Sequence, residues 1–288
     1  MKKIYIILFA ALLPILIISC EDLPPDTYDP KNYVEGYLIV DRPIEDIKLL
    51  RTQPLTDTLN YEKFFIRDAD VFISFKNQKI KLVIDAIGEK GYYYPDTTLK
   101  VLPETKYNLE IILKDGTIIT SSTLTPKRFN WIDQPPAELQ FPTDTIDFTD
   151  AQDTIKMKWV KNSFIPYSFI RIICLDTAQY GIYRTPQTLD SNRRVYREPT
   201  NRPNPRYNNR TLWGFVPFDS APVIWTSFKW YGLHKISILS PDFNFMRYSL
   251  QYFRESQYNP LFSNIENGIG IFGSAAEVDA YSFVLFPK

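Results

Sequence analysis

Hydrophobic and polar positions alternate with a period of two along much of the chain, the pattern of half-buried β-strands. Val34, Gly36, Leu38 and Val40 alternate with Glu35, Tyr37, Ile39 and Asp41, and residues 47–51, 71–75 and 79–84 follow at strand length. Residues 107–113 and 117–122 flank Lys114-Asp115-Gly116. This predicts a tight hairpin, because Asp-Gly supplies the positive φ that a two-residue turn requires. Further strands are expected at 154–160, 169–175, 211–216, 234–239, 268–272 and 281–286. One helix stands out near residues 241–256. Ser240 is placed to cap it, Pro241 to open it and Asp242 to lie in its first turn, with Phe243, Met246, Leu250 and Phe253 as a core-facing stripe.

Leu102-Pro103, then Tyr107 and an alternating strand, resembles the tyrosine corner of immunoglobulin-like and fibronectin-type sandwiches. In that feature the phenol folds back on the preceding turn and finds a backbone partner. The expected fold is therefore mainly β: an immunoglobulin-like sandwich over residues 32–126, then a larger β-rich domain over 127–288 with one docked helix. Pro126 marks the boundary, since a proline interrupts a strand ladder.

The first twenty residues change the picture. Lys2 and Lys3 precede an apolar run over residues 4–18, too short for a comfortable transmembrane helix, which needs about 20 residues, and suited to a signal peptide. The run ends Ile17-Ile18-Ser19-Cys20, which resembles a bacterial lipobox. Residues 1–19 are expected to be removed and Cys20 to carry the lipid that anchors the chain. Residues 20–31 hold four acids and three prolines, the composition of an extended tether. Acids directly after the lipidated Cys also resemble a surface-export signal. The 288-residue precursor has 33 basic and 33 acidic residues, so loss of Lys2 and Lys3 leaves a net charge of about −2.

Composition offers little catalytic material. A single His rules out a multi-His metal site within one chain, and two Cys rule out a Cys-rich zinc site or disulfide scaffold. No catalytic residue, metal or cofactor is expected, and the chain does not read as an enzyme. His234, entering a strand, reads as structural. Cys174, in an apolar run, reads as a small buried hydrophobe. Asp144, Asp147, Asp150 and Asp153 lack the spacing of a calcium loop and read as a solvated connection. Charge balance gives no reason to expect a nucleic-acid partner.

Three features could carry binding or modification. Arg193, Arg194, Arg197, Arg202, Arg206 and Arg210, with Arg184, stand against only Asp190 and Glu198. Guanidinium groups suit planar contact with carboxylate, phosphate or aromatic faces. The run reads either as a dock for an acidic partner or anionic glycan, or as a solvated, self-paired loop. Trp225, Phe228, Trp230 and Tyr231 form the densest aromatic cluster, either core or a face for a peptide or glycan. Thr58, Thr97, Thr145, Thr154, Thr177 and Ser220 each follow an Asp in tripeptides that resemble an O-glycosylation motif; Asp-Thr is also a common turn pair.

Residues 262–273 read F-S-N-I-E-N-G-I-G-I-F-G. They resemble the S-N-I-x-G-G-x-G-I-F-G signature of a lipoprotein family of Bacteroidota catalogued as a domain of unknown function. Val34-Glu35-Gly36-Tyr37-Leu38 and the pattern from Tyr107 to Pro126 also match that family's motifs. Asn267 replaces a usual Gly, and Asn is the best non-glycine residue for left-handed backbone. Gly268, Gly270 and Gly273 also fit G-x-G-x-x-G, but no βαβ unit can follow so near the C-terminus. Those glycines read instead as places where another backbone passes closely. Genes of the resembled family often neighbour TonB-dependent transporters. The resemblance thus implies a lipid-anchored outer-membrane protein, facing the cell surface, that acts as a binding or assembly module in uptake. The rival expectation is a structural or adhesive envelope lipoprotein without a dedicated ligand.

Overall fold

The computed structural model describes residues 28–54, 64–85, 91–140, 155–161, 165–175, 210–216, 219–223, 228, 231–254, 260–278 and 281–286. Among these the chain is mainly β with one α-helix, as its alternation predicts. A large sheet has the order β12 (Arg210–Val216), β11 (Ser168–Cys174), β14 (Gly232–Pro241), β15 (Ile269–Glu277), β1 (Asn32–Ile39) and β2 (Lys48–Arg51). Strand β16 (Tyr281–Phe286) pairs with the first half of β14 and with β9 (Glu138–Gln140). A five-stranded sheet runs β5 (Tyr92–Tyr93), β4 (Gln78–Ile84), β3 (Asp70–Phe75), β6 (Lys106–Ile112) and β7 (Ile118–Leu124). A three-stranded sheet joins β13 (Ser220–Pro222), β10 (Lys156–Trp159) and β8 (Trp131–Asp133).

Both smaller sheets rest on apolar positions of the large one. Val71, Ile73, Tyr107, Leu109, Ile111 and Ile119 alternate inward and pack with Val34 and Leu38 of β1 and Phe272 of β15. Met157, Trp159 and Ala221 pack with Ile170, Ile172, Ile236, Ile238 and Ala276. The intervening positions Ile39, Phe169, Leu239 and Ala275 form a further cluster with Phe245 of the helix α1 (Phe243–Arg254).

The expected cut at Pro126 does not divide the sheets. Strand β1 pairs in parallel with β15, from Tyr33↔Ile269 to Ile39↔Ala275. Ile265 and Phe272, close to the C-terminus, complete the core under the five-stranded sheet. A parallel partner cannot come from a tight hairpin, so the chain supplies it from a strand more than 200 residues away.

Local features refine the expectations. Leu102 N–H donates to Tyr107 Oη at 2.8 Å, the backbone contact expected of the corner, and Tyr107 is fully buried. The β6–β7 turn has three residues rather than two. Leu113 and Thr117 close it, and Gly116, with φ of 86°, carries the positive φ. This is a type I turn followed by a glycine bulge.

The helix begins later than expected. Ser240 and Pro241 stay in β14, opposite Ala276 and Ala275. Asp242 is the cap: its Oδ1 accepts from Phe245 N–H at 2.8 Å, and its carbonyl accepts from Met246. The core-facing positions are accordingly Phe245, Tyr248 and Ser249, while Phe243 is 58% exposed. The ring of Phe245 lies 4.7 Å from that of Tyr37 and 5.3 Å from that of Phe169.

Candidate functional site

Strand β15 loses its β14 neighbour where that chain turns into α1, since β14 pairs it only from Ala275 to Glu277. Three side chains serve the edge this exposes. Gly270 N–H donates to Ser263 Oγ at 3.1 Å. Asn264 uses its side-chain amide as a strand would use a peptide group, its Nδ2 donating to Phe272 O at 2.7 Å and its Oδ1 accepting from Phe272 N–H at 3.0 Å. Asp242 closes the series: Oδ1 accepts from Ser274 N–H at 3.1 Å, and its own N–H donates to Ser274 O.

The outer edge of β7 is treated in the same way. Asn267 Nδ2 donates to Ile118 O at 2.8 Å. Glu266 exchanges backbone bonds with Thr120. Asn244 donates to Ser122 O at 2.9 Å and Ser274 Oγ to Leu124 O at 3.2 Å. Between the two edges Thr123 donates to Asp242 Oδ2 at 2.6 Å and lies 2.8 Å from Ser274 Oγ. Residues 263–267 and 242–244 thus splice two strand edges that would otherwise carry unpaired backbone groups.

Glu266 is exposed, whereas Asp242 is the buried carboxyl of this splice. Burial pushes its pKa above the ordinary value, against hydrogen bonds from Thr123, Phe245, Ser274 and Asn244 that pull the other way. Both oxygens already have protein donors. The group is placed to hold the helix start in position rather than to exchange a proton with a ligand.

Beside the splice, the outer face of the five-stranded sheet meets the first turn of α1 and forms a corner. Two adjoining hollows share Ser122 and Asn244. One, of about 490 Å³, is walled by Leu124, Pro126, Ile165, Pro241 and Phe243, with Glu104, Lys106 and Lys127 beside them. The other, of about 420 Å³, is lined by Ser74, Asn108, Glu110, Thr120, Asn264 and Glu266. Together they make a trough along β7 with a polar and an apolar half. It can act through hydrogen bonds and apolar contact.

Of the candidate site residues singled out from sequence, those that are described do not line the trough. Cys20, Arg193, Arg194, Arg197, Arg202, Arg206, Trp225, Trp230, Thr58, Thr145, Thr154 and Thr177 lie outside the described residues, as does the 144–153 acidic run. Arg210 opens β12 opposite Ile173. Tyr231 is a core residue with Phe228, and its carbonyl accepts from the buried Cys174 thiol at 3.9 Å, so it offers no binding face. His234 is buried, with Nδ1 2.8 Å from Gly232 O and its ring edge-on to Phe228. Thr97 is exposed on a turn where Asp96 accepts from Thr98 N–H and Oγ1, bonds that hold the Asp96 carboxyl below its ordinary pKa. Ser220 sits half-buried in β13 opposite Lys158.

The glycines behave as read from sequence. A Cβ on Gly270, whose φ is 118°, would stand 2.0 Å from Val34 O, and one on Gly268 would stand 2.9 Å from Asn32 O. Asn267 takes the left-handed conformation at φ 58°. Among the described residues no cluster of three or more His, Cys, Asp or Glu could hold a metal ion.

The trough itself was not visible in the sequence. Its one signal is Phe243, which the apolar stripe places in the core and the cap at Asp242 turns outward. A comparison with curated proteins finds no match for the chain. A family model matches residues 21–280, and by it the chain belongs to the family described as a domain of unknown function, DUF4249.

Proposed function

We propose that the chain is a lipid-anchored outer-membrane protein, facing the cell surface, that serves as a binding or assembly module accessory to a TonB-dependent transporter. The anchor is supported by Lys2-Lys3, the short apolar run and Ile17-Ile18-Ser19-Cys20, followed by the acidic, proline-rich tether. The observation that carries binding over passive structure is the trough. In it Phe243 and Leu124, 58% and 55% exposed, stand beside Ser122, whose side chain has no hydrogen-bond partner among the described residues.

Geometry supports the same reading. The described chain enters β1 at Asn32, where Lys31 and Thr52 bond to each other through Lys31 N–H to Thr52 Oγ1 and Thr52 N–H to Lys31 O. Cys20 lies twelve residues earlier, a reach of at most about 40 Å. Strands β1 and β15 run away from that entry point, and β7 runs alongside β15 in the same sense, from Ile118 beside Asn267 to Leu124 beside Ser274. The apolar half of the trough therefore lies at the end away from the tether, open to a partner approaching from the opposite side.

Labelled palmitate in the native host should mark the wild-type protein and not Cys20→Ala, and protease added to intact cells should remove the wild type. Purification of the lipidated protein should bring a transporter barrel with it. Protection from protease would refute surface exposure. Isolation as a free lipoprotein would refute the transporter association in favour of an independent envelope component.

A further inference from the structure

We propose that the corner trough between the outer face of the five-stranded sheet and the first turn of α1 binds a neutral saccharide. The inference rests on the reading of the chain as a binding module and supplies the class of its ligand. Ser74, Asn108 and Ser122 stand in one row across β3, β6 and β7, as the registers Ser74↔Asn108 and Asn108↔Ser122 require. That row spans about 10 Å. Among the described residues none of the three side chains has a hydrogen-bond partner, and all three line the polar hollow. An amide between two hydroxyls offers donors and acceptors in alternation, which suits the vicinal hydroxyl groups of a sugar ring. At the wall of the corner stands Phe243, its ring largely exposed, next to Asn244. An aromatic face beside a row of hydroxyl and amide groups matches a sugar's two surfaces, one of C–H bonds and one of hydroxyls.

Charge decides against an ionic ligand. Glu104 and Glu266 offset Lys106 and Lys127 along the trough, and Glu110 is paired with Lys79 at 2.6 Å. No field of one sign remains to select an acidic or basic partner. Backbone pairing decides against an added peptide strand. Ile118 O, Thr120 O, Ser122 O and Leu124 O, along the outer edge of β7, already accept hydrogen bonds from residues 244, 264, 266, 267 and 274. Volumes of about 490 and 420 Å³ leave room for more than one sugar ring.

The test uses the full-length lipidated protein in detergent micelles, applied to a printed array of neutral and anionic oligosaccharides, with calorimetry on the best neutral binder. The expected result is retention of neutral glycans, weakened about tenfold or more by Phe243→Ala and by Asn108→Ala. Affinity should change less than about twofold between about 50 and 500 mM NaCl. Both positions are exposed, and melting curves verify that each variant is folded. The proposal is overturned if the array retains nothing, if it retains only anionic glycans in a salt-sensitive way, or if both variants bind like the wild type. Loss of binding in Trp225→Ala/Trp230→Ala with Phe243→Ala unaffected would also overturn it, by moving the site. The reading of the chain as a transporter accessory fails by a different observation, isolation without a barrel. An empty array with a transporter still co-purifying would therefore remove the saccharide alone.

Discussion

Strand β15 is held along its two edges by different means. On one edge β1 lies in parallel register over seven residue pairs, joined backbone to backbone. On the other, past the point where β14 leaves, Ser263, Asn264 and Asp242 serve the backbone groups of Gly270, Phe272 and Ser274 through their side chains. The first seam asks almost nothing of residue identity except room for the chains to approach, which is why its demanding positions are glycines. The second asks for particular functional groups, because an amide, a hydroxyl and a carboxylate each stand in for a missing peptide. Backbone seams should fail when something is added, and side-chain seams when something is taken away.

That contrast can be broken at several points. The largest effect is expected at Gly270→Ala. Its Cβ would meet Val34 O at 2.0 Å on backbone of positive φ, so β1 and β15 must part. A loss of about 4 kcal/mol or more should show as little or no folded protein on expression and a collapsed melting transition. A normal yield and melting point would show that the backbone seam has slack. Asn264→Ala should cost less, about 2–4 kcal/mol in urea unfolding, because it strands the N–H and C=O of Phe272 together. A cost below about 0.5 kcal/mol would mean that the two strand edges stay satisfied without the side chain.

Asp242→Asn sharpens the comparison by keeping the shape and removing the charge. The folded carboxyl has a pKa raised by burial above its ordinary 3.8. The native state therefore binds a proton more readily than the unfolded chain between that value and the folded pKa. In this window stability falls as pH rises, and wild type is favoured on the acid side. The Asn variant should lack this component, so urea midpoints of the two proteins should converge or cross as the pH is raised through the window. Parallel curves would mean the carboxyl is ionised without penalty. Glu266→Gln should change stability least, within about 0.5 kcal/mol. Its backbone pairing with Thr120 survives, and only an exposed hydrogen bond from Thr120 Oγ1 at 2.6 Å is altered.

Legibility followed the range of the forces involved. The alternation in β6 and β7, the Tyr107 corner and the left-handed Asn267 depend on residues within a few positions, and they stand where the pattern placed them. The helix was readable but its start was not. Ser240, Pro241 and Asp242 are all respectable openings, and only the pairing of Ser240 and Pro241 with β15 keeps them in the strand. That shift of two residues turns Phe243 outward and makes it part of the apolar wall of the trough. Tyr231, whose ring could serve core or surface equally well, was settled only by its packing with Phe228.

By itself the sequence determined a mainly β chain with one helix, a corner at Tyr107, close backbone approaches at Gly268 and Gly270, and too few His and Cys residues for the commonest metal sites. These follow from local sterics, periodicity and count. Tertiary structure decided that β1 and β15 are neighbours, that Ser263, Asn264 and Asp242 act as substitutes for strand backbone, and that Phe243 faces a trough lined by Asn108 and Ser122. A parallel strand pair carries no short-range signature, and a buried polar side chain shows its purpose only when the backbone group it completes has been brought to it from elsewhere in the chain.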